Sequence, residues 1–132
     1  MRKKSIYKLG ETELEVLNIV WELENASVAD VRERILSYRP IAYTTIMTVM
    51  KNLADKGYLT YEQDGNSYVY SAARPAHDVK RSLLRELMSN VFSDSPLALV
   101  QTLVKDEKLS AMELEDIKAT IRSIDGEDDQ DD

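Results

Sequence analysis

Cysteine is absent from the 132 residues, which excludes disulfides, thiolate metal sites and cysteine nucleophiles together. Histidine occurs once, as His77, so no His-pair metal site can form and histidine-centred acid–base chemistry has little to draw on. No apolar run approaches the roughly 18 residues that a membrane span requires. Met1-Arg2-Lys3-Lys4 precedes no apolar stretch, so a signal peptide is not expected. No Gly-rich phosphate loop, catalytic carboxylate pair or nucleophile–base constellation stands out. The expected class is a soluble cytosolic protein that is not an enzyme and needs neither metal nor cofactor.

Proline and glycine are scarce, and each falls where an element should begin or end: Pro40, Pro75 and Pro96, then Gly10, Gly57, Gly65 and Gly126. After a polar arm (Arg2, Lys3, Lys4, Lys8), Thr12-Glu13-Leu14-Glu15 has the form of a capping box. Leu14, Leu17, Val20 and Trp21 recur at helical spacing, which predicts a helix over about 12–23. Ser27 with Asp30 marks a second helix start, whose buried stripe is Val28, Val31 and Ile35 and which ends before Pro40. Ile46, Val49, Met50 and Leu53 define a third helix, stopped by Gly57. The period then changes. Tyr58–Glu62 and Ser67–Ser71 are short β-branched and aromatic runs around Gln63-Asp64-Gly65-Asn66, a hairpin signal. Three helices followed by a hairpin is the order of a winged helix-turn-helix.

Beyond Pro75 the pattern is helical again. Val79, Leu83, Leu84, Leu87, Met88 and Val91 make a stripe wider than one face needs. A short apolar helix with Leu99 and Leu103 follows Pro96, and Ser110 with Glu113 caps a last helix carrying Leu114, Ile117, Ile121 and Ile124 on one face. About fifty residues of apolar-faced helix do not easily close a core alone. An isologous dimer buries the surplus most simply; folding back on the N-terminal part is the alternative. Residues 1–74 are thus expected to be a winged-helix domain, 75–124 a helical dimerisation domain, and 125–132 a disordered acidic tail. Charge follows this division. Residues 1–74 carry ten basic and ten acidic side chains, 75–132 seven and fourteen, so the whole excess of −7 lies in the second half.

If Ile46, Val49, Met50 and Leu53 point inward, helical geometry turns Thr44, Thr48, Lys51 and Asp55 outward, with Met47 and Asn52 flanking and Thr45 nearer the side. Threonine is a weak helix former, so three of them within 44–48 beside an outward Met47 point to contact rather than helicity. Hydroxyls can pair with base edges, and apolar groups can pack on thymine methyls. Lys51 and the amides near Tyr43 and Thr44 could reach phosphates. The four hairpin tyrosines (58, 61, 68 and 70) read as cross-strand packing pairs, and the wing tip lacks Lys and Arg.

Tyr43-Thr44-Thr45-Ile46-Met47-Thr48-Val49-Met50-Lys51-Asn52-Leu53, with Lys56-Gly57-Tyr58-Leu59, resembles the recognition-helix region of the penicillinase-repressor family of BlaI, MecI and CopY type. Leu14–Trp21 is similar to the family's first helix, and Leu109-Ser110 with Glu113-Leu114-Glu115 to its last. The likeness spans about residues 9–124. It implies a homodimeric repressor that binds an inverted-repeat operator in double-stranded DNA, with Thr44, Thr45, Met47 and Thr48 facing the groove and the C-terminal helices as dimer interface. It also implies a sensor or protease that relieves repression. Copper-responsive members carry a C-terminal Cys-x-Cys motif, and 125–132 contains no cysteine, so copper sensing by that chemistry is excluded. Where β-lactam-responsive members have a cleavable Asn-Phe bond, this chain has Thr102-Leu103. Some members place Arg at the position of Met47. The net charge of −7 keeps one rival open, a helical protein–protein adaptor on a winged-helix fold that does not bind DNA.

Overall fold

In the computed structural model, residues 9–106 and 109–131 are described, with side chains up to Ser123. The basic arm at Arg2, Lys3, Lys4 and Lys8 and the final Asp132 lie outside the described residues. Helix α1 (Glu11–Leu23) leads through strand β1 (Asn25–Ala26) to α2 (Val28–Leu36) and α3 (Tyr43–Asp55), followed by β2 (Leu59–Asp64) and β3 (Ser67–Ala72). Helices α4 (Ala76–Val91), α5 (Pro96–Asp106) and α6 (Ala111–Asp131) complete the described chain. This is the expected winged helix-turn-helix followed by helices.

Several helix starts are built by side chains. Ser27 Oγ accepts from Asp30 N–H at 3.1 Å while Asp30 accepts from Ser27 N–H at 3.0 Å, closing the box expected for α2. Ser110 and Glu113 do the same at α6, with distances of 3.1 and 3.0 Å. At α1 the register differs from expectation. Gly10 is the N-cap and Glu13 Oε1 accepts its N–H at 2.9 Å, while Thr12 sits inside the helix. Gly10 has no side chain to return the bond, so only half a box forms. Replacing Ser27 by Ala should cost about 1 kcal/mol and lower the thermal midpoint by roughly 4–8 °C, read by circular dichroism.

Helix α3 stops as Gly57 predicts. Gly57, at φ +89°, donates to Ala54 O at 3.0 Å and Tyr58 N–H reaches Leu53 O at 2.9 Å, a Schellman ending with both flanking side chains buried. The hairpin pairs Asp64 with Ser67 across Gly65-Asn66, and only Gly65 has positive φ (+65°), as a II′ turn requires. Strand β1 was not expected. It pairs Asn25 with Ser71 and Ala26 with Tyr70, so the sheet order is β1-β3-β2. Two residues have no periodicity to read; only the neighbouring β3 makes them a strand.

The core is formed by Leu17 and Val20 of α1, Val31 and Ile35 of α2, and Ile46, Met50 and Leu53 of α3, capped by Leu59 and Tyr70 of the hairpin. Leu14 and Trp21, expected on the α1 stripe with Leu17 and Val20, are only partly buried against the core, while Val16 and Ile19 are buried as well. Helix α1 packs against α2, α3 and the sheet, so its buried arc is wide.

The chain divides into two compact units, Met1–Leu87 and Met88–Asp132. The break falls inside α4, not at Pro75. Val79, expected at a dimer interface, is 2% exposed within the first unit's own core, and Leu83 packs against that core. The wide stripe of this helix therefore serves two surfaces: its first turns complete the winged-helix core, leaving only later positions for a partner. Leu84 is exposed and Leu87 half-buried. In the second unit Met88, Leu99 and Leu114 are half-buried, while Val91, Leu103, Ile117 and Ile121 are exposed. No residue of α5 is buried. Helix α6 continues to Asp131, where a disordered tail was expected from residue 125. A lone glycine inside a helix costs only about 1 kcal/mol, and no proline follows to remove a backbone donor.

Candidate nucleic-acid interface

Three sets of side-chain contacts hold α3 in place from outside the core. Arg32 Nε on α2 donates to Ile41 O at 2.9 Å, fixing the turn that leads into α3. Beyond the end of α2, Arg39 pairs with Glu15 of α1, which also accepts from the Tyr38 hydroxyl. Just past α3, Lys56 Nζ reaches both carboxylate oxygens of Glu13 at 2.8 and 2.9 Å. Glu13 thereby ties the start of α1 to the end of α3.

These pairs shift the carboxylates. Burial pushes Glu13 upward, but the Lys56 hydrogen bond, the Gly10 amide and the Lys56 charge outweigh it, and its pKa is lowered. The Arg39 hydrogen bond lowers Glu15 against a smaller effect of burial, with Tyr38 and the Arg39 charge adding to the lowering. A carboxylate with a depressed folded-state pKa contributes stability that is complete above its unfolded value, near 4.3, and lost as pH falls through the folded value. Thermal midpoints should therefore fall as pH drops below about 4, and Glu13→Gln should flatten that fall. A slope unchanged in Glu13→Gln would show that the Lys56 pair contributes nothing.

The residues expected to meet DNA are all exposed: Tyr43, Thr44, Thr45, Met47, Thr48, Lys51 and Asn52. Met47 is 45% exposed, whereas Met50, three residues on, is fully buried. No side chain caps α3 at Ala42, and no acid lies in its first turn. The first carbonyl-bonded amides are Thr45 and Ile46, both to Ala42 O. The Tyr43 and Thr44 amides thus stand ahead of the intrahelical ladder.

The face is not flat. Tyr43, Met47, Thr48 and Lys51 form one wall of a groove of about 670 Å³, closed by the start of α2 at Ser27–Ala29 and by Tyr61 and Tyr68 of the hairpin. Thr44, Thr45 and Asn52 do not line it. Tyr61 pairs with Tyr70 across the strands, and the Tyr61 ring lies 5.0 Å from Tyr68 and 5.3 Å from Tyr70. Cross-strand packing was the expected role. That Tyr61, Tyr68 and Tyr70 also share the face toward α3 was missed, although their two-residue spacing and the hairpin turn carry that signal. Tyr58 differs: Arg74 lies 5.2 Å over its ring.

Among the described residues no cluster could hold a metal ion, and no helix is long and apolar enough to cross a membrane.

Residues 9–123 match the family described as Penicillinase repressor. The methicillin resistance regulatory protein MecI of Mammaliicoccus sciuri is 28% identical over 112 residues, covering 85% of this chain and 91% of that protein. The penicillinase repressor of Staphylococcus aureus is 23% identical over 117 residues, covering 89% of this chain and 93% of that one. RosR of H. salinarum shares the fold at a TM-score of 0.52, with 16% identity over 79% of this chain and 97% of that one. With nearly its whole described length matched, the chain belongs to the penicillinase repressor family, a family of transcriptional repressors and not of enzymes.

Proposed function

We propose that this chain is a homodimeric repressor that binds an inverted-repeat operator, each copy laying α3 in the major groove of one half-site. The observation that carries the proposal is the outward face of α3. It sets threonine hydroxyls and an exposed methionine at the entry end of a rigidly held helix, with no acid in the first turn. Thr44, Thr45, Met47 and Thr48 read base edges, while Lys51, Asn52 and the amides of Tyr43 and Thr44 position the helix on phosphates. Family membership supports the repressor role.

Dimerisation rests on apolar surface that the second unit leaves open. Val91, Leu97, Val100, Leu103, Val104, Met112, Ile117 and Ile121 are all exposed in this unit, and α5 buries none of its residues. So many exposed apolar side chains on one small unit point to association, and an isologous contact also gives the two-fold symmetry that an inverted repeat needs. Leu84, Leu87, Met88, Leu99 and Leu114 extend the same stripes. Thr102-Leu103 lies inside α5, with Thr102 Oγ1 donating to Ala98 O at 2.9 Å, so relief of repression by cutting there requires that helix to open first.

Selection of binding sites from random duplex DNA with the purified protein tests the proposal. The expected result is a two-fold symmetric motif with half-sites about one helical turn apart. No enrichment at low salt overturns it and favours the adaptor reading, which the net charge of −7 supports.

A further inference from the structure

The groove beside α3 is aromatic to a degree that base reading does not require. We propose that it binds an organic cation bearing an aromatic ring, and that the bound cation excludes DNA from α3. The exclusion rests on the DNA-reading role of α3; the binding site itself does not.

Small-molecule sites typically enclose about 300–1,000 Å³, and this groove has a volume of about 670 Å³. Tyr43, Tyr61, Tyr68 and Tyr70 line it together with Met47. The Tyr61 and Tyr68 rings pack edge to face at 71° and Tyr61 and Tyr70 at 44°, so three rings cluster on one wall, with Tyr61 and Tyr68 the more exposed and Tyr70 buried beneath. The face of an aromatic ring is the negative part of its quadrupole, and a cation within about 6 Å of it is attracted. Asp55, the last residue of α3, adds a formal negative charge to the lining. Burial first, then the Tyr61, Tyr68 and Asp55 neighbours, hold the Tyr70 hydroxyl above its ordinary pKa, which keeps that phenol neutral.

One cation, Lys51, also lines the groove. It is exposed, and its flexible stem lets the ammonium turn to water when a ligand enters. Tyr61 is more constrained, since its ring packs against both Tyr68 and Tyr70. With Lys51 turned outward, a phosphate inside the groove would meet aromatic rings and the Asp55 carboxylate, so the interior favours a cation. Met47, Thr48 and Lys51 belong both to the groove and to the reading face. Ligand and duplex therefore compete for the same atoms.

Calorimetric titration of the full chain with benzyltrimethylammonium tests the site, with benzoate as the control of opposite charge. The cation should bind about tenfold more tightly than benzoate, and Tyr68→Leu and Asp55→Asn should each weaken it by roughly 3–30-fold. Both positions are exposed, and a carboxylate at a helix C-terminus opposes the dipole, so neither substitution should harm the fold. Benzoate binding as tightly, wild-type affinity in both variants, or no binding at all overturns the site. Saturating cation should also weaken binding to a duplex selected as above by about tenfold; unchanged duplex affinity overturns the exclusion. Discriminating cation binding in a protein that selects no duplex would support the site while overturning the DNA-reading role of α3, so the two failures are separable.

Discussion

Raising salt from about 50 to about 200 mM should weaken binding to a selected duplex by roughly 10³–10⁵, for on the order of 6–10 phosphate contacts per dimer. Each Lys or Arg that neutralises a phosphate releases condensed counterions, so the logarithm of affinity falls linearly with the logarithm of salt at about −0.9 per such contact. The distribution of charge makes this a demanding test. A chain of net charge −7 has no general attraction for DNA, and its first 74 residues are formally neutral. A steep slope must then come from cations placed locally at the interface, of which α3 carries Lys51, beside a helix start with no acid in its first turn. Lys51→Ala in a dimer removes two such contacts and should reduce the slope by about 2. Substituting Thr48 and Lys51 together should abolish specific binding with the dimer intact. Fluorescence anisotropy at several salt concentrations reads all three. A nearly flat response is incompatible with a groove-binding dimer and points to the adaptor.

Met50→Ala should destabilise the winged-helix unit by about 2–5 kcal/mol, whereas Met47→Ala should change stability by no more than about 0.5 kcal/mol. The side chains are chemically identical and lie three residues apart on α3. Met50 is fully buried among Leu17, Val20, Ile35 and the other core residues; Met47 is 45% exposed on the reading face. Truncating Met50 loses its transfer free energy and leaves a cavity, and native domains hold only about 5–15 kcal/mol in total. The same core contains β-branched side chains such as Val20 and Ile35, which have few rotamers with which to fill a gap. Urea unfolding followed by circular dichroism measures both variants. Duplex binding should invert the order: Met47→Ala folds normally and loses base discrimination. Equal stability losses in the two variants would mean that α3 presents a different face.

The pair also shows how far the residues alone can be read. Local signals carry most of the first two-thirds of the chain: the Ser27 and Asp30 box, the 3.6-residue spacing of Ile46, Met50 and Leu53, the Gly57 stop and the Gly65 turn each act over a few residues. Because these are short-range interactions, they appear in the sequence as fixed spacings, and the outward face of α3 follows from its inward one by helical geometry. The same reasoning misplaces the α1 cap, since Thr12 and Gly10 offer competing starts and the choice falls to Glu13, which binds both the Gly10 amide and Lys56 forty-three residues away.

Sequence by itself determined the order of the helices and the hairpin, the base-reading candidates and the family likeness, all of which depend on periodicity and on near neighbours. Tertiary structure decided what those elements share. It made a strand of Asn25-Ala26 by pairing them with β3, and it drew Val79 into the winged-helix core instead of leaving it for a partner. It also brought hairpin tyrosines to the flank of α3 to close a groove. Each of these depends on which surfaces meet across long stretches of chain, and a hydrophobic stripe specifies that it must be buried without specifying against what.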